Sequence, residues 1–353
     1  MVRLKDIAER AGVSIMTVSK VMRDAPDISA ATKARVRVLA QQMGYVPDSL
    51  AQGLRTRTTK LFGLVISAMT NPIFSRVIMA IEERAHELGY EVILSHTLNI
   101  PSREEAAIRR LISRRVDGLF ISPVYRLAPE APIYQELQRC AIPTIILGHL
   151  APFCNQFPNV ETDDIQASYA ATQHLLELGH RRIGYFAGPQ VSPWAQERLE
   201  GHRRALREAG AEIDDKLIFD AGATIEEGEK AALQLLNERP DVTAVQAVND
   251  LVAIGAATIF LNQGIRIPEE LSMVGFGNVL ISEYFRVPLT TVRQPKFRLG
   301  VAAMNSMLKL MRGERPEPKR LSAETIVRAS TAVPSTTGRV QINPVDKTEN
   351  PTL

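Results

Sequence analysis

The chain has 353 residues, by the usual size prior about two or three domains with room for a large core. Its net charge of +3 is unevenly spread: residues 1–60 carry 11 Lys/Arg against 5 Asp/Glu, net +6, and the remainder 31 against 34, net −3, so phosphate contact is expected at one end only. Two cysteines, Cys140 and Cys154, argue against a disulfide framework and a cysteine metal site, and the charged N-terminus and lack of about 18 uninterrupted apolar residues argue against export and membrane insertion; a cytoplasmic protein is expected.

The first elements in chain order are three helices. Residues 4–11 place Ile7, Ala8 and Ala11 on one face and Lys5, Asp6, Glu9 and Arg10 on the other. Gly12 can adopt the left-handed conformation that closes a helix, and Ser14 can cap the next one. That second helix buries Val18, Val21 and Met22, while Ile15, Met16, Thr17, Ser19, Lys20 and Arg23 form an outer face of the kind a recognition helix turns to base edges. A third helix is expected with Ser29 as cap, Val36, Leu39, Ala40 and Met43 inward, and Gly44 past its end. Cys140, ending a helical run before an apolar strand, is expected to be buried.

After Val46 and Pro47 a helical pattern runs only from about Ser49 to Thr56. So short a helix is marginal in water, and Gly53 costs about 1 kcal/mol more relative to alanine. It reads as a hinge that orders when something packs on it.

From residue 61 apolar strand patterns at 61–67, 91–95, 117–122, 143–148, 182–187, 242–248 and 272–276 alternate with helical segments. This predicts an α/β body of parallel sheets flanked by helices, with ligands at the carboxyl ends of the strands. The residues just past each strand supply the candidate pocket: Asn71 and Phe74; Ser122, Tyr125 and Arg126; His96, His149 and the pair Asp163/Asp164; then Trp194, Arg198, Asn249, Asp250 and Gln294. Convergent polar groups with a few aromatic walls suit a small polar ligand, Phe74 or Trp194 stacking on it and Arg198 anchoring charge. The plainer alternatives are that Asp163, Asn249 or Asp250 caps a helix, that Phe74 and Trp194 are core, and that His96 and His149 are structural. The chain has no GxSxG, HExxH or CxxC, and GATIEEGEK at 222–230 has Glu229 where a phosphate loop needs lysine, so no enzyme, metal or cofactor is expected.

With GVSIMTVSKVMR and the later YVPDSLAQGL, residues 1–60 resemble the DNA-binding head of the LacI/GalR family of bacterial transcription regulators, and the remainder resembles that family's effector-binding core. The resemblance implies a helix-turn-helix head at 1–47, a hinge helix and linker at 48–60, a two-lobed periplasmic-binding-protein-like core at 61–338, and a polar tail at 339–353. Lobe one would take about 61–161 plus 293–323 and lobe two about 163–290 plus 327–338, with crossovers near 161–163, 289–293 and 323–327. It implies a homodimer on pseudo-palindromic double-stranded DNA, with Lys5, Ser14, Ile15, Met16, Thr17, Ser19, Lys20, Leu54 and Arg55 at the DNA. Leu54 matches the leucine that wedges into the central base step. Phe74, Asp163, Arg198, Asn249 and Gln294 match effector-contacting positions, for a sugar or sugar derivative.

Three positions depart from the family pattern: Asp48 where Asn is frequent, Gln52 where Arg is frequent, and Gly277 in GFGN where an acid usually binds sugar hydroxyls. The missing carboxylate removes two acceptors and leaves another small polar or anionic metabolite as an alternative. A corepressor-dependent or ligand-independent DNA binder, and a DNA-tethered enzyme, are the remaining readings.

Overall fold

The computed structural model describes residues 2–46, 58–238 and 241–335. The hinge pattern and the tail, with Leu54 and Arg55, lie outside the described residues. The chain divides into two compact units, residues 1–59 and 60–353.

In the first unit α1 (Leu4–Ala11), α2 (Ile15–Met22) and α3 (Ala30–Gln42) enclose a small core of Ile7, Ala8, Ala11, Val18, Val21, Val36 and Ala40. The turn between α1 and α2 needs Gly12 at φ +63°, where a Cβ would be strained. Ser14 Oγ accepts from the Thr17 amide at 3.0 Å and Ser29 Oγ from Thr32 at 3.3 Å, so both predicted caps supply a partner for an orphan helix donor.

The second unit holds two six-stranded sheets. One is ordered β11-β5-β4-β3-β1-β2, from β1 (Leu61–Ile66), β2 (Glu91–His96), β3 (Gly118–Ile121), β4 (Thr144–Leu147), β5 (Asn159–Thr162) and β11 (Lys319–Leu321). The other is ordered β12-β10-β9-β8-β6-β7, from β6 (Ile183–Ala187), β7 (Ile218–Asp220), β8 (Ala244–Ala247), β9 (Ser272–Phe276), β10 (Thr290–Arg293) and β12 (Glu324–Ile326). All pairings are parallel except β10 with β12. Helices cover both faces, so β3, β4, β6, β8 and β9 are buried throughout and read as short apolar runs rather than alternating ones. The five strands that the apolar pattern omits, β5, β7, β10, β11 and β12, have three or four residues each and are defined by their pairing.

The chain passes between lobes three times. It leaves β5 for α7 (Asp164–Glu177) in lobe two, leaves β10 for α12 (Lys296–Met311), which packs on α4 (Ile73–Glu87) in lobe one, and steps from β11 to β12 across Ser322 and Ala323. Cys140 corrects an expectation: it caps the end of α6 (Pro132–Arg139) and is exposed, because the helix stops before its last turn is covered. The buried cysteine is Cys154. Among the described residues no helix is long and apolar enough to cross a membrane.

Candidate effector cleft and DNA-reading surface

A cavity of about 380 Å³ lies at the carboxyl ends of the strands of both sheets in the second unit. Lobe one contributes Asn71 and Phe74 from the loop and first turn of α4, Ser122, Val124 and Tyr125 after β3, His149 after β4, and Glu161 and Thr162 on β5. Lobe two contributes Asp164 at the start of α7, Trp194 and Arg198 on α8 (Pro193–Glu208), Asn249 and Asp250 at the start of α10 (Asp250–Asn262), and Phe276 and Gly277. Gln294 enters from the second crossover.

The lobe-one loop is fixed from behind. Buried Glu104, on α5 (Pro101–Ser113), accepts from the Val124 amide at 2.7 Å and the Tyr134 hydroxyl at 2.8 Å and is ion-paired to Arg126. Burial pushes its carboxyl up while these donors oppose the shift. Tyr125 then donates to the His149 carbonyl at 2.8 Å, joining two loops of the wall.

On the lobe-two side Arg198 is buried, with Nε donating to Asp164 Oδ1 at 2.9 Å and Nη1 to the Val248 carbonyl at 2.7 Å. Its guanidinium lies 3.6 Å from the Phe276 ring centroid and 4.8 Å from that of Trp194. Ser168 Oγ donates to the Arg198 carbonyl and accepts from Gln246 Nε2 at 2.8 Å. Asp250 is also buried, its oxygens taken by the Thr291 hydroxyl and, at 2.8 Å, by the Val279 amide. Burial raises its pKa and that of Asp164, the latter opposed by Arg198 and His149.

Eight of the nine predicted effector residues line this cavity: Asn71, Phe74, Ser122, Tyr125, Trp194, Arg198, Asn249 and Gln294. Asp163 does not. It is the cap of α7, accepting from Gln166 at 3.2 Å, and lies 3.4 Å from Arg320; its neighbour Asp164 takes the cavity position. Asn249 does both jobs, capping α10 through the Val252 amide and donating to the Ala223 carbonyl. Arg126 stands behind the wall with Glu104, and His96 is exposed at the end of β2. His149 lines the cavity with Glu161, which no sequence pattern singled out; a polar residue ending a strand before a crossover was the available signal.

Gly277, at φ +134°, opens the wall where the family shows an acid. A Cβ there would come 3.5 Å from Asp250 Oδ2, and the carbonyls of Gly277 and Asn278 instead hold Lys296 Nζ at 2.6 and 2.7 Å. Burial lowers the Lys296 pKa to about 8. Gln294 Nε2 donates to Thr162 Oγ1 at 3.1 Å, while its buried Oε1 has no hydrogen-bond partner among the described residues. Among those residues no group of three or more His, Cys, Asp or Glu is placed to hold a metal ion.

In the first unit, Ile15 and Met16 open α2 with 50% and 69% of their surface exposed, large apolar side chains that the head's own core does not use. Ser14 and Thr17 pair through their hydroxyls at 2.9 Å, Arg23 reaches back to Ser19, and Lys20 is ion-paired to Asp27. Lys5 is exposed on α1, 3.8 Å from Glu9.

Residues 3–48 match the model of bacterial regulatory proteins of the lacI family, and residues 59–330 match that of periplasmic binding proteins and the sugar binding domain of the LacI family. The chain belongs to the LacI family. Within the family it is 33% identical over 330 residues to the HTH-type transcriptional repressor CytR of Escherichia coli (strain K12), covering 93% of this chain and 96% of that protein. Among solved structures it resembles the lac repressor dimer bound to operator and the anti-inducer ONPF, at TM-score 0.82 and 28% identity over 94% of this chain and 99% of that one. It also resembles a transcriptional regulator CelR-cellobiose complex, at TM-score 0.71 and 30% identity over 94% and 100%. As a LacI-family member the protein is a DNA-binding transcription regulator, not an enzyme.

Proposed function

We propose that the protein is a cytoplasmic repressor that binds a pseudo-palindromic operator as a homodimer and is controlled by a neutral, hydroxyl-bearing ring metabolite, a sugar or sugar derivative, held between the lobes. The observation that carries the ligand class is charge compensation. Arg198 is already ion-paired to Asp164 and Arg126 to Glu104, so the charge of each guanidinium is compensated, which favours a neutral ligand over an anion. The cavity offers instead the aromatic surface of Phe74 and Trp194, together with Asn71 and Ser122.

Protein two-fold symmetry imposes two-fold symmetry on the DNA site. In this reading Ile15 and Met16 touch thymine methyls, Lys20 exchanges Asp27 for guanine acceptors, and Lys5, Ser14, Thr17, Ser19 and Arg55 position the backbone, with Leu54 as the minor-groove wedge. Ligand binding shifts the population between lobe arrangements and so the pairing of two hinge segments; a coupling of roughly 1–3 kcal/mol changes operator affinity 5- to 150-fold. Leu54→Ala should weaken operator binding and leave ligand binding intact, as read by fluorescence anisotropy on labelled DNA.

A thermal-shift screen of the purified protein against neutral sugars, sugar phosphates, sugar acids, nucleobases and amino acids tests the ligand class, because a ligand of the native state raises Tm by mass action. Hits among neutral sugars are expected. Hits confined to anionic metabolites would overturn the assignment.

A further inference from the structure

Two charged groups of lobe one reach lobe two along one side of the cavity. His149 Nε2 lies 3.0 Å from Glu197 Oε2 on α8 and 3.5 Å from Asp164 Oδ2 at the start of α7. Arg320 on β11 holds the same Glu197 oxygen and lies 3.4 Å from Asp163 and 3.7 Å from Glu161. Arg198 completes the group through Asp164. Four carboxylates, Glu161, Asp163, Asp164 and Glu197, therefore meet two guanidiniums and one imidazole. With His149 neutral the acids exceed the cations by two; with His149 protonated, by one.

We propose that closing the two lobes over the effector cavity takes up a proton on His149, making cleft closure, and with it control of the operator, dependent on pH. This rests on the effector role proposed above for the same cleft. Closure brings Glu161 of lobe one toward Asp164 and Glu197 of lobe two, and like charges that share a half-buried site repel strongly where water is scarce. An imidazolium between them turns that repulsion into attraction. Opening withdraws His149 and Arg320 from Glu197 together, so the proton is held more tightly in the closed form than in the open one.

The surroundings give the direction. Burial opposes a charge on His149, but the Glu197 hydrogen bond and the nearby Asp164 and Glu161 outweigh it and raise its pKa above 6.5. Burial also raises Glu161 and Asp164, Arg320 and Arg198 respectively opposing it. The other facing group, Tyr125, donates to the His149 carbonyl, and burial raises its phenol well above its ordinary value. A raised pKa means that the contribution to closure is full below about 6.5 and is lost as pH rises through the raised value. His174, His180 and His202 are shifted the other way by burial, so their titration falls below that window.

The chain supplies its own probe. Trp194, its single tryptophan, lines the cavity three residues before Glu197 on the same helix. Trp194 emission and the small-angle-scattering radius of gyration of the full chain are followed from about pH 5.5 to 9, with far-UV circular dichroism confirming the fold. A transition is expected with a midpoint above 6.5 and expansion on the alkaline side; Glu197→Gln should lower its midpoint and His149→Gln should abolish it, which separates it from the titration of Lys296, lowered to about 8 by burial. A flat wild-type profile, or a transition that either variant leaves in place, would overturn the proposal, and the more exposed Glu197→Gln keeps the test alive if His149→Gln does not fold. No metabolite enters this experiment. A proton-linked transition in a protein that binds nothing in the screen would defeat the effector reading alone, and sugar binding with a flat pH profile would defeat the proton linkage alone.

Discussion

The two lobes share one strand order, yet they build their halves of the cleft differently. In lobe one the buried ion pair, Glu104 with Arg126, stands behind the wall, and the wall itself mixes Phe74, Val124, Tyr125 and Leu147 with Asn71, Ser122, His149 and Glu161. In lobe two the buried pair, Arg198 with Asp164, is itself part of the wall, backed by Asp250 and the Ser168/Gln246 network. The difference lies in where the buried charge is compensated: behind the wall in lobe one, within the wall in lobe two. The same strand order therefore leaves recognition chemistry to the loops at the strand ends, where sequence can vary without disturbing the sheets.

Four measurements can break or sharpen this contrast. The largest effect is expected from Arg198→Ala, which leaves Asp164 buried without its guanidinium and should cost about 3–5 kcal/mol in urea unfolding; a loss below about 1 kcal/mol would mean that the lobe-two wall is not held by charge. Next comes acid stability. Burial lowers the His202 pKa to about 4, so the unfolded chain binds the proton first; about 3 kcal/mol should be lost as pH falls from about 6.5 toward 4, and His202→Gln should flatten that part of the profile. In the cleft, Phe74→Ala and Trp194→Ala should each weaken a sugar identified by the screen by about 1–2 kcal/mol, roughly 5- to 30-fold by calorimetry. An effect confined to Trp194 would leave stacking to lobe two alone. The smallest change lies in the head: Met16→Ala should alter preference at one half-site position by about 1 kcal/mol, while Lys5→Ala lowers affinity for all sequences alike. Identical binding profiles over a randomised operator library would remove that division.

The neighbours Asp163 and Asp164 mark how far the cleft could be read in advance. Both lie in the same strand-to-helix step, and one lines the cavity while the other caps the helix and lies beside Arg320. Cys140 is exposed and Cys154 enclosed for a similar reason, since cover by a distant segment decides which thiol is shielded.

Local physics carried the rest. The glycine turn and both serine caps depend on contacts a few residues apart, the inward apolar residues of the head on helical spacing, and the sequence by itself determined them, along with the seven apolar strands. Tertiary structure alone decided the short strands β5, β7, β10, β11 and β12, the compensation of Arg198 by Asp164, and the meeting of His149 and Arg320 with Glu197. The partners in those contacts are 34 to 123 residues apart. No periodicity spans such separations; they are set when the two sheets are joined by three crossovers.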